Sequence, residues 1–125
     1  MKFLLVVVAL IAGSVYGIHR ALNSPSFFEY VFSNPDLSPK FSYYYGVILE
    51  QYGEPARADS FYDVVVSTYP SHQLAAGALV KMADIRNGGL RFAEALELYK
   101  KFVVDYPDDP RVPRVRKNIE IIMSR

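Results

Sequence analysis

Two pairs of carboxylates in this 125-residue chain have a spacing that could support general acid–base chemistry. Asp59 and Asp63 are four residues apart, and so are Glu50 and Glu54. In a helix, residues four apart lie on the same face, so each pair could act together. Asp59 and Asp63 lie opposite the apolar stripe of the same predicted helix, and Glu50 and Glu54 flank a predicted turn. We therefore interpret both pairs as solvated surface charges.

Other chemically useful residues are scarce. The chain has no cysteine, which excludes disulfides and cysteine-ligated metals. Its two histidines, His19 and His72, leave few residues for a histidine-based metal or catalytic site. Gly88-Gly89 lacks the following Lys-Ser/Thr and the preceding strand of a phosphate-binding loop. No nucleophile, base and orienting group can be assembled into one set. The sequence predicts a protein that is not an enzyme and has no cofactor or metal.

Composition limits the remaining classes of function. Fourteen Lys and Arg residues oppose thirteen Asp and Glu residues, for a formal net charge of +1. This balance excludes a globally basic nucleic-acid binder and an acidic disordered chain. The length predicts one small domain with a thin core.

The first twenty residues form a membrane-directed segment. An uncharged, strongly apolar stretch runs from residue 3 to residue 18 after Met1-Lys2. At about 1.5 Å per helical residue it spans roughly 24 Å, somewhat short of a bilayer core of about 30 Å. It is either a cleaved signal peptide, with small residues before a cut near Ser14 or Gly17, or a retained anchor. The residues proposed to enter the membrane are Phe3, Leu4, Leu5, Val6, Val7, Val8, Leu10 and Ile11.

Residues 21–38 read as a linker. Pro25 and Pro35, mixed with Ser and Asn, leave room for one short aromatic helix at most. The aromatic residues at 27–32 could lie at a membrane–water interface or cover the domain that follows.

From residue 39 onward the pattern is helical and it repeats. Residues 41, 44, 45, 48, 49 and 52 form one apolar helical face, which Gly53 ends. A shift of 37 residues superimposes the next helix on a later one, including Ala58 on Ala95 and Tyr62 on Tyr99. No segment alternates as a strand does. A helix–turn–helix unit repeated at a fixed offset predicts an all-α solenoid.

These repeats resemble the tetratricopeptide repeat (TPR) superfamily. The resemblance rests on small residues, aromatic residues and closing prolines at the positions where the TPR pattern has them. The first aromatic residue of that pattern is missing, because Ser42 and Leu79 stand in its place. The matching residues are Gly46, Ala58, Tyr62, Pro70, Ala83, Ala95, Tyr99, Phe102 and Pro107. The resemblance implies a short TPR-like solenoid over residues 39–125, with repeats at about 39–70 and 76–107.

The Tyr-Pro junctions at 69–70 and 106–107 look like those of bacterial envelope repeat proteins. Those proteins include the outer-membrane assembly lipoproteins and the coordinators of the Tol–Pal system. The lipid-modified cysteine of the lipoprotein branch is absent here.

Residues 110–124 predict a last helix that seals the open end of the solenoid. Its apolar stripe comprises Val112, Val115, Ile119, Ile122 and Met123. The alternative is that its basic residues bind anionic lipid or an acidic partner.

The resemblance also implies a concave surface made by the first helix of each unit. The expected partner-binding residues are Lys40, Tyr43, Val47, Glu50, Gln51, Gly77, Val80, Asp84, Asn87, Arg114 and Lys117. This mixture suits a peptide, a helix or a neighbouring subunit better than nucleic acid.

The sequence therefore predicts a protein-interaction module of the cell envelope. It would be a membrane-anchored adaptor or accessory subunit with its repeats on the extracytoplasmic side. The alternatives are a structural subunit held in a larger membrane assembly, and a cleaved periplasmic protein.

Overall fold

A computed structural model describes residues 1–125, except for the side chain of Leu22. The described chain consists of seven helices and has no strand. In chain order they are α1 Lys2–Leu22, α2 Pro25–Ser33, α3 Ser38–Gln51, α4 Pro55–Thr68, α5 Ala75–Gly88, α6 Phe92–Asp105 and α7 Val112–Met123. The all-helical class is confirmed, and the chain divides into two compact units, Met1–Leu37 and Ser38–Arg125.

The first unit begins with a helix that is longer than the apolar stretch alone predicts. α1 has 21 residues, or about 31 Å at 1.5 Å per residue, because the helix continues through His19 and Arg20. By length and composition Lys2–Ala21 can cross a membrane, a test that signal sequences also pass. Its apolar side chains are mostly exposed, Phe3 at 82% and Leu10 at 66%.

The predicted linker contains one short aromatic helix, α2. Pro25 fits its first turn because a proline there loses no hydrogen bond that the helix would have made. The rings of Phe27 and Phe28 meet edge to face at 5.8 Å, and those of Phe28 and Phe32 stack at 6.1 Å. Val31 is buried.

The second unit contains two helical hairpins, α3–α4 and α5–α6, followed by α7. Consecutive helices pack against each other throughout this unit. The first core cluster joins α3, α4 and α5 through Leu49, Ala58, Tyr62, Val65, Ala75, Ala78 and Met82. The second joins α5, α6 and α7 through Ala76, Leu79, Val80, Ala83, Ala95, Tyr99, Phe102, Val112, Val115 and Ile122.

The buried side of α3 differs from the predicted apolar face. The structure buries Ser42, Gly46 and Leu49, whereas Tyr44 is 57% exposed and Ile48 is 49% exposed. The helix turns its smallest residues toward the hairpin because α4 approaches closely there. Apolar periodicity therefore predicted the helix correctly but its buried face only in part: Leu49 is buried and Tyr45 packs against the core, as the pattern predicts.

The stripe predicted on α7 also needs a correction at one residue. Val112, Val115 and Ile122 are buried, but Met123 is 65% exposed. Met123 is the last residue of the helix, where no further turn covers it.

The two hairpin turns have the same backbone geometry but different residues. Gly53 has φ 74° and Leu90, 37 residues later, has φ 62°. The following N–H closes each turn by donating to a carbonyl five residues back, Glu54 to Leu49 and Arg91 to Arg86, each at 2.9 Å. Left-handed backbone suits glycine and strains leucine.

We expect Leu90→Gly to stabilise the second unit by about 0.5–1 kcal/mol. Relief of left-handed strain exceeds the entropy that glycine adds to the unfolded chain, and little burial is lost because Leu90 is 73% exposed. The matched variant Gly53→Leu should destabilise the unit by a similar amount. Urea unfolding measures both, and a destabilised Leu90→Gly protein would refute the strain argument.

Candidate functional site

The closest approach inside the first hairpin is between Gly46 and the ring of Tyr62. A Cβ atom at Gly46 would lie 2.7 Å from Cε1 and 2.9 Å from Cζ of that ring. Tyr62 is completely buried, and so is Ala58 one turn before it on α4. The small residue of α3 thus lets a buried aromatic ring fill the space between the helices.

The second hairpin repeats this packing. Ala83 and Ala95 are completely buried, as are Tyr99 and Phe102 on α6. Phe102 also packs against the ring of Tyr106 at 5.6 Å. These residues stand where the repeat pattern requires small and aromatic side chains in contact.

The two Tyr-Pro junctions lie directly after α4 and α6. Those helices end at Thr68 and Asp105, one residue before each tyrosine. The Tyr106 hydroxyl donates to the carbonyl of Pro70 at 3.3 Å, which links the second junction to the first. Pro107 follows Tyr106 outside the helix, where a missing N–H has no cost.

The buried tyrosine of the first hairpin is part of a three-residue connection between helices. Its hydroxyl donates a short hydrogen bond to Glu50 on α3. The same carboxylate accepts from Nζ of Lys81 on α5 at 3.3 Å. Burial, and next the bond to Glu50, raise the pKa of Tyr62 well above its ordinary value.

The second hairpin builds an analogous connection with other residues. Tyr99 donates to Asp84 on α5 at 2.5 Å, and Asp84 accepts two bonds of 3.2 Å from Arg114 on α7. Asn118 donates to the Tyr99 hydroxyl at 3.3 Å. Burial, and next the bond to Asp84, raise the pKa of Tyr99 to about 12. Each tyrosine, acid and base set thus ties three successive helices together.

These contacts account for three of the residues expected to bind a partner. Glu50, Asp84 and Arg114 are bonded inside the chain, although none is fully buried. Sequence spacing missed Lys81 as a member of this network. In the sequence, Lys81 is only a lysine one turn before Ile85 of the same helix. That position does not indicate which residue of another helix lies opposite it.

Val80 is a correction to the expected partner-binding surface. The structure places it in the core cluster of α5, α6 and α7 at 2% exposure, so it presents no side chain to a partner. Because α7 covers it, a position that faces outward in one isolated hairpin becomes interior in the complete unit.

The other expected surface residues remain accessible to different degrees. Lys40, Gln51 and Lys117 are exposed. Val47 and Asn87 are half-buried.

Tyr43 and Arg111 meet across Gly77. A Cβ atom on Gly77 would lie 2.8 Å from Nη1 of Arg111 and 3.3 Å from the Tyr43 hydroxyl. Nε and Nη2 of Arg111 both donate to Asp109 at 2.8 Å, which orients the guanidinium group and raises its pKa. Gly77 is itself buried beneath these two side chains, so, contrary to the expectation, it presents no surface to a partner. Its missing side chain lets the Tyr43 phenol and the Arg111 guanidinium group, whose side chain is 40% exposed, lie close to α5. Sequence analysis did not identify Arg111 as part of this surface.

The basic residues around α7 are not all free. Arg111 pairs with Asp109 and Arg114 pairs with Asp84. Arg116 and Lys117 are exposed. Internal pairing thus halves the positive charge that the lipid-binding alternative for this helix requires.

The candidate carboxylate pairs separate into different environments. The side chain of Asp59 is 17% exposed and pairs with Arg86 of α5 at 3.3 Å, so it is not the solvated charge that we expected. Asp63 accepts from the Ser67 hydroxyl at 2.9 Å, and Glu54 pairs with Arg57 at 2.7 Å. Among the residues that the structure describes, no three His, Asp or Glu side chains are grouped to hold a metal ion.

Residues 77–109 match the tetratricopeptide repeat family. The match spans most of α5, all of α6 and the second Tyr-Pro junction, and it supports the TPR superfamily resemblance. No curated protein matches the chain, so the narrower resemblance to envelope proteins gains no support. Tetratricopeptide repeats generally mediate protein–protein interaction.

Proposed function

We propose that this chain is a non-catalytic TPR adaptor, attached to a membrane or exported, that binds a segment of a partner protein. The proposed binding surface is formed by α3, α5 and α7, the first helices of successive units. The observation that carries this proposal is the meeting of the Tyr43 phenol and the Arg111 guanidinium group over the buried Gly77 of α5.

The chemistry of this pair suits a polypeptide. Because Gly77 has no side chain, Tyr43 and Arg111 can lie together against α5 and present an aromatic ring and a guanidinium group side by side. The Tyr43 hydroxyl can donate or accept a hydrogen bond, and Nη1 of Arg111 can donate to a carbonyl. The Tyr43 ring adds apolar area, and tyrosine and arginine are among the residue types enriched at the energetically dominant positions of protein interfaces.

The charges of the surface favour a partner without a strong charge of either sign. Glu50, Asp84 and Asp109 are each paired with a cation of the same chain. These pairs leave few unbalanced charges to attract a highly acidic or highly basic segment. Recognition would therefore depend on aromatic packing and backbone hydrogen bonds.

α1 supports the proposed membrane attachment, because it is long and apolar enough to span a bilayer. As a retained anchor it would raise the local concentration of the repeats near a membrane-bound partner. If it is cleaved near Ser14 or Gly17, the same surface would serve a soluble exported adaptor. The intact mass of the membrane-fraction protein separates the two cases.

A structural subunit of a larger membrane assembly is the second candidate. The exposed apolar side chains of α1 favour it, because they could pack against other membrane helices. A permanent subunit should aggregate when produced alone in detergent, whereas an adaptor should be monomeric.

Site-specific photo-crosslinking in the native cells tests the adaptor proposal. A photoreactive phenylalanine analogue at Tyr43 should give a discrete adduct, while the same analogue at Val104, which is 76% exposed on α6, should not. Adding Gly77→Val should reduce the Tyr43 adduct by roughly tenfold, since its first added carbon would lie 2.8 Å from Nη1 of Arg111 and displace that flexible side chain from beside Tyr43. Equal adducts at both positions, or an adduct unaffected by Gly77→Val, would refute the proposal.

A further inference from the structure

A second surface of the repeat unit shares only Lys40 with the expected partner-binding surface, and the adaptor proposal does not use its other residues. It consists of Lys40, Tyr44, Ile48 and Tyr52, which follow one another at four-residue intervals along and just after α3; we call it the α3 outer face. Tyr44 is 57% exposed, Ile48 49% and Tyr52 80%. Three large apolar or aromatic side chains in a row, two on α3 and one just after it, exceed what scattered surface residues require.

Stacking of repeats does not explain the two tyrosines. Their equivalents in the second hairpin, 37 residues later, are Lys81 and Gly89. The Lys81 side chain remains 34% exposed, and Gly89 is exposed, although a complete hairpin precedes them. A further repeat packed before α3 would therefore leave Tyr44 and Tyr52 exposed at the edge of the contact between the two repeats. Tyr44 and Tyr52 are suited to a different contact.

The charge of the α3 outer face is positive. Lys40 is exposed at its first position. The single acidic residue of α3, Glu50, is bonded to Tyr62 and Lys81 away from this face. A surface of aromatic rings, one aliphatic side chain and one cation complements a bilayer interface with anionic head groups.

A cavity of 290 Å³ opens beside this face and adds donors for an anion. Lys40, Tyr44, His72, Gln73 and Leu74 line it, and none of them carries a carboxylate. The Leu74 N–H donates to Nδ1 of His72 at 3.1 Å, which leaves Nε2 of the neutral ring as a donor. An ammonium, an imidazole and an amide thus stand next to the apolar stripe, the combination that a phospholipid head group and its acyl chains require.

We propose that the α3 outer face docks on the surface of an anionic phospholipid bilayer. The rings of Tyr44 and Tyr52 and the side chain of Ile48 enter the head-group region, and Lys40, His72 and Gln73 contact lipid phosphate. Docking holds the repeats against the membrane rather than at the end of a free tether. This inference rests on the membrane attachment proposed above, but not on the partner-binding surface.

The absence of tryptophan from the chain allows a direct test. Full-length Ile48→Trp protein is reconstituted into vesicles of phosphatidylglycerol and phosphatidylcholine brominated on its acyl chains, and Val104→Trp on α6 is the matched control. Bromine quenches only rings that reach the bilayer, so we expect quenching at position 48 at least roughly twofold stronger than at position 104. Tyr52→Trp is the second reporter if Ile48→Trp impairs folding.

The head-group contact is tested by a charge reversal. Lys40→Glu in the Ile48→Trp protein should reduce the quenching by roughly half on anionic vesicles, while Lys100→Glu on the exposed side of α6 should not. Equal quenching at positions 48 and 104 would overturn the inference. So would a fluorescence shift at position 48 that depends on protein concentration without bromine quenching, which would show a second copy on this face. Resistance of the protein to carbonate extraction, measured on the same vesicles, shows separately whether α1 anchors it.

Discussion

Replacing Gly46 with valine should destabilise the repeat unit by about 3 kcal/mol, the upper part of the range for overpacked cores. Even the first added carbon would lie 2.7 Å from a carbon of the Tyr62 ring, which is buried on all sides and cannot move away. For a domain of this size each kcal/mol lowers Tm by about 4–8 °C, so the loss should exceed roughly 12 °C. Thermal unfolding followed by far-UV circular dichroism measures it.

Gly88→Val is the matched control. Gly88 ends α5, and a Cβ atom there would meet no other atom within 4 Å. The control therefore reports the intrinsic effect of valine in place of glycine in a helix, without a clash. A large loss of stability in both variants would contradict the contact with Tyr62 as the cause.

A double variant identifies the colliding partner. Tyr62→Leu alone should be destabilising, because it removes the ring and the hydrogen bond to Glu50. Combined with Gly46→Val it should cost less than the sum of the two single changes, since the ring no longer occupies the space. Strict additivity would show that the two residues are not in contact in solution.

The stability of the repeat unit should fall steeply between pH 10 and pH 12. The pKa of Tyr99 is raised to about 12 in the folded protein against 10 in the unfolded chain, so only the unfolded chain releases this proton readily in that interval. The stabilisation is complete below pH 10 and is lost as the pH rises toward 12, by roughly 3 kcal/mol for Tyr99. Tyr62, whose pKa is raised as well, adds to the loss.

Urea unfolding at pH 8, 10 and 11 separates this effect from the titration of lysines. Tyr99→Phe should be less stable than the unmodified protein at pH 8, because the bond to Asp84 is lost, and the difference should shrink or reverse at pH 11. Tyr52→Phe, at an 80% exposed position, should follow the unmodified protein at every pH. A constant difference between Tyr99→Phe and the unmodified protein would contradict the raised pKa.

Sequence alone predicted the all-helical class and the repeated hairpins of this protein. Helical periodicity, the left-handed turn at Gly53 and the Tyr-Pro junctions are local properties that each segment expresses in its own residues. The 37-residue offset then placed Tyr62 and Tyr99 in equivalent positions, where the structure buries both completely. The membrane role of α1 and the partner-binding surface remain predictions.

Only the tertiary structure decided which side of α3 is buried and which charges are available. Periodicity gave equal weight to every apolar residue of α3, but the close approach of α4 at Gly46 selected the side with the smallest residues and left Tyr44 exposed. Likewise, the carboxylates of Glu50 and Asp84 found their partners 31 and 30 residues away on other helices. Interhelical distance determines such contacts, and no local pattern encodes that distance.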